Sequence, residues 1–429
     1  MIDAQDGWER RTLGDVLTVK HGFAFKGEFF ADDGPHVVVT PGNFHEDGGF
    51  KPKSGKEKYY TAEPPTDFIL AEGDLIVAMT EQAEGLLGSS ALVPVSGYYL
   101  HNQRIGLVLV KAPELADKRF LFYLFNTKGV RAQLQATATG SKVRHTAPSR
   151  IEAVEVLLPS LRIQQSIAEI LAAYDELIEN NTRRIQILEE MAQAIYREWF
   201  VEFRYPGHLD MPLVHSDLGR IPKGWTVQPV GQAVETLGGG TPAKGTAAYW
   251  DGGTVNWFTP TDLTAARAMF ISDSKTTITK LGLAKSSAKL FPERSVMMTS
   301  RATIGVVSIA TTAATTNQGF ITCVPNERLS EYHLYFWLRD NVELFDTLAS
   351  GATFKEINKK TFRAIPIVVP TTDVESAFRA AVEPMCALVA GLLQANENLR
   401  ATRDLLLPRL ISGEIDVSEL DIDMGGAAA

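Results

Sequence analysis

The feature that most constrains this chain is a long internal repeat. Trp8 with Leu13-Gly14-Asp15 returns as Trp225 with Val230-Gly231-Gln232, Thr40-Pro41-Gly42 as Thr259-Pro260-Thr261, and Met79-Thr80 as Met298-Thr299. Further along, Asn102-Gln103 with Gly106 returns as Asn317-Gln318 with Gly319, Gly140-Ser141 as Gly351-Ala352, and a β-type run ending in Pro159 as one ending in Pro370. The offset drifts slowly between 219 and 211 residues while the order is kept, the mark of a duplication followed by loop insertions and deletions. One fold must therefore be built twice, from two diverged sequences.

Each repeat opens with a strand-rich region. In the first, Val37–Thr40, Leu75–Met79, Ile105–Val110 and Val154–Leu158 are β-branched or alternating runs bounded by Gly, Pro, Asn and Asp, and read as strands. In the second, Ser295–Met298, Ile304–Ile309, Phe320–Val324 and Ile365–Val369 read the same way, and one short helix is expected in each repeat, at Phe120–Leu124 and Leu334–Leu338.

Each repeat closes with a long helix. Ile163, Ile167, Ile170, Tyr174 and Leu177, then Asn181, Ile185, Leu188, Ala192, Ile195 and Trp199, form a heptad seam with one stutter at the polar Asn181. Phe378, Ala381, Met385, Leu388, Leu392, Ala395, Leu399, Thr402 and Leu406 form a second seam of about four heptads. Pro384 either bends that helix or marks where its regular part begins. Matching seams at matching places predict that the two helices pair with each other. The expected architecture is α+β: duplicated strand-rich domains at 1–159 and 205–370, long helices at 160–204 and 371–412, and a flexible tail at 413–429.

Charge separates the same segments. The net charge is -9, and the two helical segments account for it: 160–204 holds five Arg against eight carboxylates, and 371–429 four Arg against ten. The strand-rich regions nearly balance, at -3 for 1–159 and +3 for 205–370. A nucleic-acid partner normally calls for a basic surface, so any such contact belongs to the two balanced domains. The acidic start Met1–Asp6 is no secretory signal, and no stretch reads as a membrane span, so a cytoplasmic protein is expected. Cys323 and Cys386 have no CxxC partner and read as small core residues.

Catalytic motifs do not survive inspection. Gly238-Gly239-Gly240-Thr241-Pro242 resembles a phosphate loop, but no Gly-Lys-Ser/Thr follows, which favours a turn approaching a ligand closely. No dinucleotide fingerprint follows a strand, no Asn/Asp-Pro-Pro-aromatic quartet is present for amino methylation, and no His/Cys cluster has metal spacing. A binding module is the leading expectation. A metal-dependent DNA-processing enzyme with diffuse acidic ligands, and an oligomeric scaffold without DNA binding, are the alternatives.

Leu177–Glu189, Ile195–Arg204, Ile221-Pro222-Lys223-Gly224-Trp225, Gly239–Pro242, Ser300–Gly305, Thr316–Phe320, Ser350–Ile357 and Leu407–Ile415, in that order, resemble the specificity (S) subunit of Type I restriction-modification systems. The resemblance covers nearly the whole chain. It implies two target recognition domains, each reading one half of an interrupted DNA sequence, with antiparallel helices as a ruler between them and a pseudo-twofold relation. It also implies two modification subunits, which carry S-adenosylmethionine and methylate adenine, and restriction subunits, with no cofactor and no catalysis in this chain.

On this reading the DNA contacts are polar or basic residues of the Gly-rich loops. They are Lys51, Lys53, Lys56, Lys58, Arg104, Lys142 and Arg144 in the first domain, and Thr241, Lys244, Thr261, Arg301, Asn317, Gln318, Lys355, Lys359 and Lys360 in the second. Asn102-Gln103 and Asn317-Gln318 could equally tie their loops to backbone. Tyr196, Trp199, Phe200 and Phe203 crowd more aromatic surface into eight residues than one helix stripe hides, and are the expected partner-docking residues.

Overall fold

The computed structural model describes residues 7–53, 55–81, 85–351 and 354–420. The chain divides into two compact units, Met1–Leu177 with Asn398–Ala429, and Ile178–Glu397.

The first unit is built on an antiparallel sheet in the order Leu17–His21, Ile105–Val110, Leu75–Ala78, Ser90–Leu92. Leu75–Ala78 is buried on both faces, which explains its unbroken apolar run. Helices Lys118–Phe125 and Lys128–Thr137 cover one face through Phe120, Leu121, Leu124 and Leu134. A second sheet is formed by Phe30–Ala31, Tyr59–Tyr60 and His36–Val38, from the stretch between Leu17–His21 and Leu75–Ala78, with Tyr99–Leu100 from the stretch just before Ile105–Val110. Strand Glu9–Thr12 pairs with Glu155–Leu158, bringing the repeat's start to its end.

The second unit repeats this plan. Glu235–Gly238, Phe320–Val324, Val296–Thr299 and Val307–Ala310 take the same order as the first unit's main sheet, with Phe270–Ile271 added at the edge. Thr226–Pro229 pairs with Pro366–Val369, and helix Glu331–Asp340 replaces Lys118–Phe125. Local chemistry is copied as well. Thr40 N–H donates to Asn43 Oδ1 (2.9 Å) and Thr259 N–H to Asp262 Oδ2 (2.7 Å), so a Thr-Pro turn is capped identically in both.

The long helices are Leu161–Tyr196, continued by a π-helical turn Arg197–Val201, and Thr372–Ile411. Within each unit they run antiparallel. Arg403 Nη1 bonds Asp175 Oδ1 at 2.5 Å in the first unit; in the second, Asn181 Nδ2 donates to Asn396 Oδ1 at 2.9 Å, and Tyr196 and Phe200 pack on Phe378. The helix is continuous through Pro384, so the regular part does not begin there.

The seams differ from the heptad reading. Ala381 and Leu388 face outward, Leu388 at 42% exposure, while Val382, Cys386 and Val389 are buried; in the first helix Leu177 is exposed and Leu171 buried. The reason is competition: each helix must serve its partner helix and a globular core, and the core rotates the buried stripe away from a strict a/d line. Thr372–Ile411 is also long and apolar enough, by length and composition, to cross a membrane, contrary to the expectation of no such stretch. Its Phe378, Val382, Cys386 and Val389 are spent on the second unit's core. The expected flexible tail is in part packed, because Val417 is buried with Leu410 and Ile411 in the first unit's core.

Candidate functional site

In the second unit, the ends of the main-sheet strands form a rim. Gly240 N–H donates to Thr316 O (2.9 Å), and a Cβ on Gly239 would overlap the carbonyl oxygens of Thr316 and Asn317, so glycine is required by close approach. Asn317 Oδ1 accepts the Gly319 N–H (2.8 Å), closing a tight turn, and the Thr241 hydroxyl donates to Gln318 Oε1 (2.6 Å). Ser300 N–H donates to Gly319 O and Ile357 N–H to Ser300 O, drawing the Arg301 and Lys355–Glu356 segments alongside. Lys359 reaches over Gly238, where a Cβ would collide with its amine. Pro260, with the exposed Thr261 after it, lies against Gly319. The fold thus gathers Thr241, Thr261, Arg301, Asn317, Gln318, Lys355 and Lys359, with exposed Lys244 and Lys360 on adjoining segments.

The first unit builds the same rim. Phe23 N–H donates to His101 O and Gln103 N–H to Phe23 O, Asn102 Oδ1 accepts the Arg104 N–H (3.1 Å), and a Cβ on Gly22 would overlap the Asn102 carbonyl. Arg104 and Lys142 are exposed there. The structural reading of the Asn-Gln pairs therefore holds for both asparagines, whose side-chain oxygens close their own turns. Lys51–Lys58 belongs elsewhere, to the Thr40 turn and the second sheet. Lys53 Nζ donates to Thr40 Oγ1 (2.5 Å), and its burial, with Lys58 and Lys51 nearby, holds its pKa below the ordinary lysine value. Lys58 lies over the Phe30 ring, while Lys51 and Lys56 are exposed.

Several proposed cations are already engaged by the protein. Lys355 Nζ bonds Asp346 Oδ2 (2.6 Å), and the Arg301 guanidinium is 3.8 Å from Glu356. Arg144 donates to Gln135 O (2.6 Å) and lies 3.5 Å from Glu81. Glu81 could not be picked out from the sequence because it falls where the first repeat departs from the second. Its buried carboxylate accepts the N–H groups of Gly85, Leu86 and Leu87 at 2.8–3.1 Å and anchors this part of the rim.

The partner-docking expectation needs correction for Tyr196 and Phe200. Tyr196 and Phe200 are buried in the second unit's core against His333, Phe336, Phe378 and Trp225. Trp199 and Phe203 are half-buried, on Phe378 and Trp225 respectively. The density of aromatics exceeds what a helix stripe hides because a whole domain core, and not only a partner helix, absorbs it. Among the described residues no group of three His, Cys, Asp or Glu could hold a metal ion.

The family described as "Type I restriction modification DNA specificity domain" matches residues 5–190 and again 222–376. The MjaIX specificity subunit of Methanocaldococcus jannaschii is 30% identical over 203 residues, 47% of this chain and 46% of that protein. The HindI specificity subunit of Haemophilus influenzae is 25% identical over 323 residues, 62% of this chain and 70% of that one. The chain therefore spans about half the length of the first relative and 70% of the second. The crystal structure of a Type-I restriction-modification system S subunit from M. genitalium shares the fold, with a TM-score of 0.56 at 14% identity over 95% of this chain and 96% of that one. With two copies of one rim, each inside a separate match to the same family, the chain belongs to the Type I restriction-modification DNA specificity subunits.

Proposed function

We propose that this chain reads a bipartite duplex DNA target and serves as the scaffold of its restriction-modification complex, performing no chemistry itself. Each recognition unit takes one half-site, and the two halves differ in sequence. The observation that carries this is the rim built twice on one backbone plan with different side chains at its edge: Phe23, Ala24 and Arg104 in one unit stand where Gly240, Thr241 and Gly319 stand in the other. Equivalent backbone with unlike side chains suits two readers of unlike base edges. Modification subunits carrying S-adenosylmethionine supply methyl transfer, and restriction subunits complete the assembly.

The net charge of -9 limits what the chain binds alone. Phosphate neutralisation must come largely from its partners, leaving this subunit to orient and to read. Mapping methylated adenine across the host genome, with and without this chain, tests the reading. Expected is one interrupted motif that vanishes on deletion; an uninterrupted motif, or an unchanged map, overturns it. Titrating labelled target DNA should also show weak binding by the chain alone and a clear gain when the modification subunit is added.

A further inference from the structure

We infer that the second recognition unit grips the DNA phosphate backbone through a lysine-bearing segment, residues 244–289, of which only Lys244 and Thr261 are among the contacts expected above; the inference rests on the DNA reading just proposed. Three observations converge. The first is charge: residues 239–290 hold six cations (Lys244, Arg267, Lys275, Lys280, Lys285 and Lys289) against three carboxylates, which equals the whole +3 surplus of 205–370.

The second is availability. Lys355, Arg301 and Arg144 are compensated by carboxylates of their own unit, so their charge is already spent. Lys244, Lys280, Lys285 and Lys289 are exposed, and among the described residues none has a carboxylate within 4.0 Å. A cation that the protein leaves uncompensated is one that can release counterions from a phosphate.

The third is position. The segment is fastened to the rim, where Trp257 Nε1 donates to Gly240 O (2.8 Å) and Trp250 Nε1 to Ala243 O (3.1 Å), and is tied within itself by the Thr279 N–H donated to Tyr249 O (2.9 Å). Gly240 lies so close on Ser287 and Ala288 that no Cβ would fit. Lys285 and Lys289 flank that contact in sequence, and Gly240 is followed directly by Thr241, whose hydroxyl bonds Gln318. Helix Lys280–Ala284, capped by Thr279, carries Lys280 on the same segment. The lysines are tethered to a rigid scaffold and next to the rim that reads bases, as backbone-positioning contacts must be.

The test uses the full chain together with its modification subunit, and fluorescence anisotropy on the duplex target identified by methylation mapping, between about 50 and 200 mM NaCl. In K285Q/K289Q the slope of log affinity against log salt should flatten by about 1.8, on the order of 0.9 for each phosphate no longer neutralised, with base preference unchanged. K118Q, at an exposed lysine of helix Lys118–Phe125 that is not among the rim residues, should leave the slope unchanged. An unchanged slope in a folded, DNA-binding K285Q/K289Q variant overturns the inference. So does a change of base preference at unchanged slope, or equal competition by single-stranded RNA. Absence of duplex binding by the wild-type complex would instead defeat the DNA reading itself, and the two failures are distinguishable.

Discussion

Individual side chains explain why a recognition unit stays rigid under its divergent loops. In the second unit Glu375 and His333 are both about 2% exposed, with His333 Nδ1 2.8 Å from one Glu375 oxygen and the Ser330 N–H 2.8 Å from the other. Burial pushes the Glu375 pKa up, but the imidazole and the Ser330 bonds outweigh it and hold the carboxyl below its ordinary 4.5. Ser330 also caps helix Glu331–Asp340, so one carboxylate ties the long helix to the domain helix. Glu375→Gln should cost about 3 kcal/mol at neutral pH, read by urea unfolding. Because the folded-state pKa is lowered, the glutamate's advantage is complete above about pH 4.5 and is lost as pH falls through the folded value. The gap between wild type and variant should therefore close in acid; a gap that widens would contradict this account.

At the scale of elements, the paired helices carry a buried amide layer. Asn396, 2% exposed, accepts from Asn181 and donates to Thr182 Oγ1 (3.3 Å), between the buried Leu392 and the half-buried Leu399 of its own helix. Asn396→Leu alone should destabilise by about 1–2 kcal/mol, since it strands its partners' polar groups, whereas N181L/N396L should be neutral or more stable. Urea midpoints of wild type, N181L, N396L and the double variant decide it, and an additive double variant would show no coupling between the two side chains. Tyr196→Ala and Phe200→Ala should each cost about 3–5 kcal/mol, seen as lowered thermal midpoints, because both rings fill a core. These elements also show how far the sequence could be read. Strands Ile105–Val110 and Phe320–Val324 were legible to the residue because alternation or an apolar run bounded by turns leaves little choice. The stutter at Asn181 marked the real polar layer. The buried stripe of Thr372–Ile411 was not legible, because an a/d pattern records one neighbour and this helix has two. At the rim, Asn317 and Gln318 stood out as a repeated pair, but which cations were free was invisible: Lys355 and Lys285 look alike until Asp346 is placed beside one of them.

At the scale of the whole molecule, each long helix passes from one unit into the other, at Leu177–Ile178 and at Glu397–Asn398. If these helices set the spacing of the half-sites, that crossing is where length can be added without touching a core. An insertion after Glu190 would not do so, since Glu189 bonds Arg339 (2.8 Å) and Ala192 and Tyr196 are core residues of the second unit. Four residues in one helix alone would also misalign the Asn181–Asn396 layer. The informative variant adds four helix-forming residues to both helices, after Leu177 and after Glu397, about one turn of 5.4 Å in each. Base pairs rise by about 3.4 Å, so the unspecified spacer should lengthen by one or two base pairs while both half-site sequences stay as they were. Methylation mapping of cells carrying the variant is the measurement. A changed half-site in an active complex would mean that the insertion reached a recognition unit, and an unchanged spacer would mean that these helices do not set the distance.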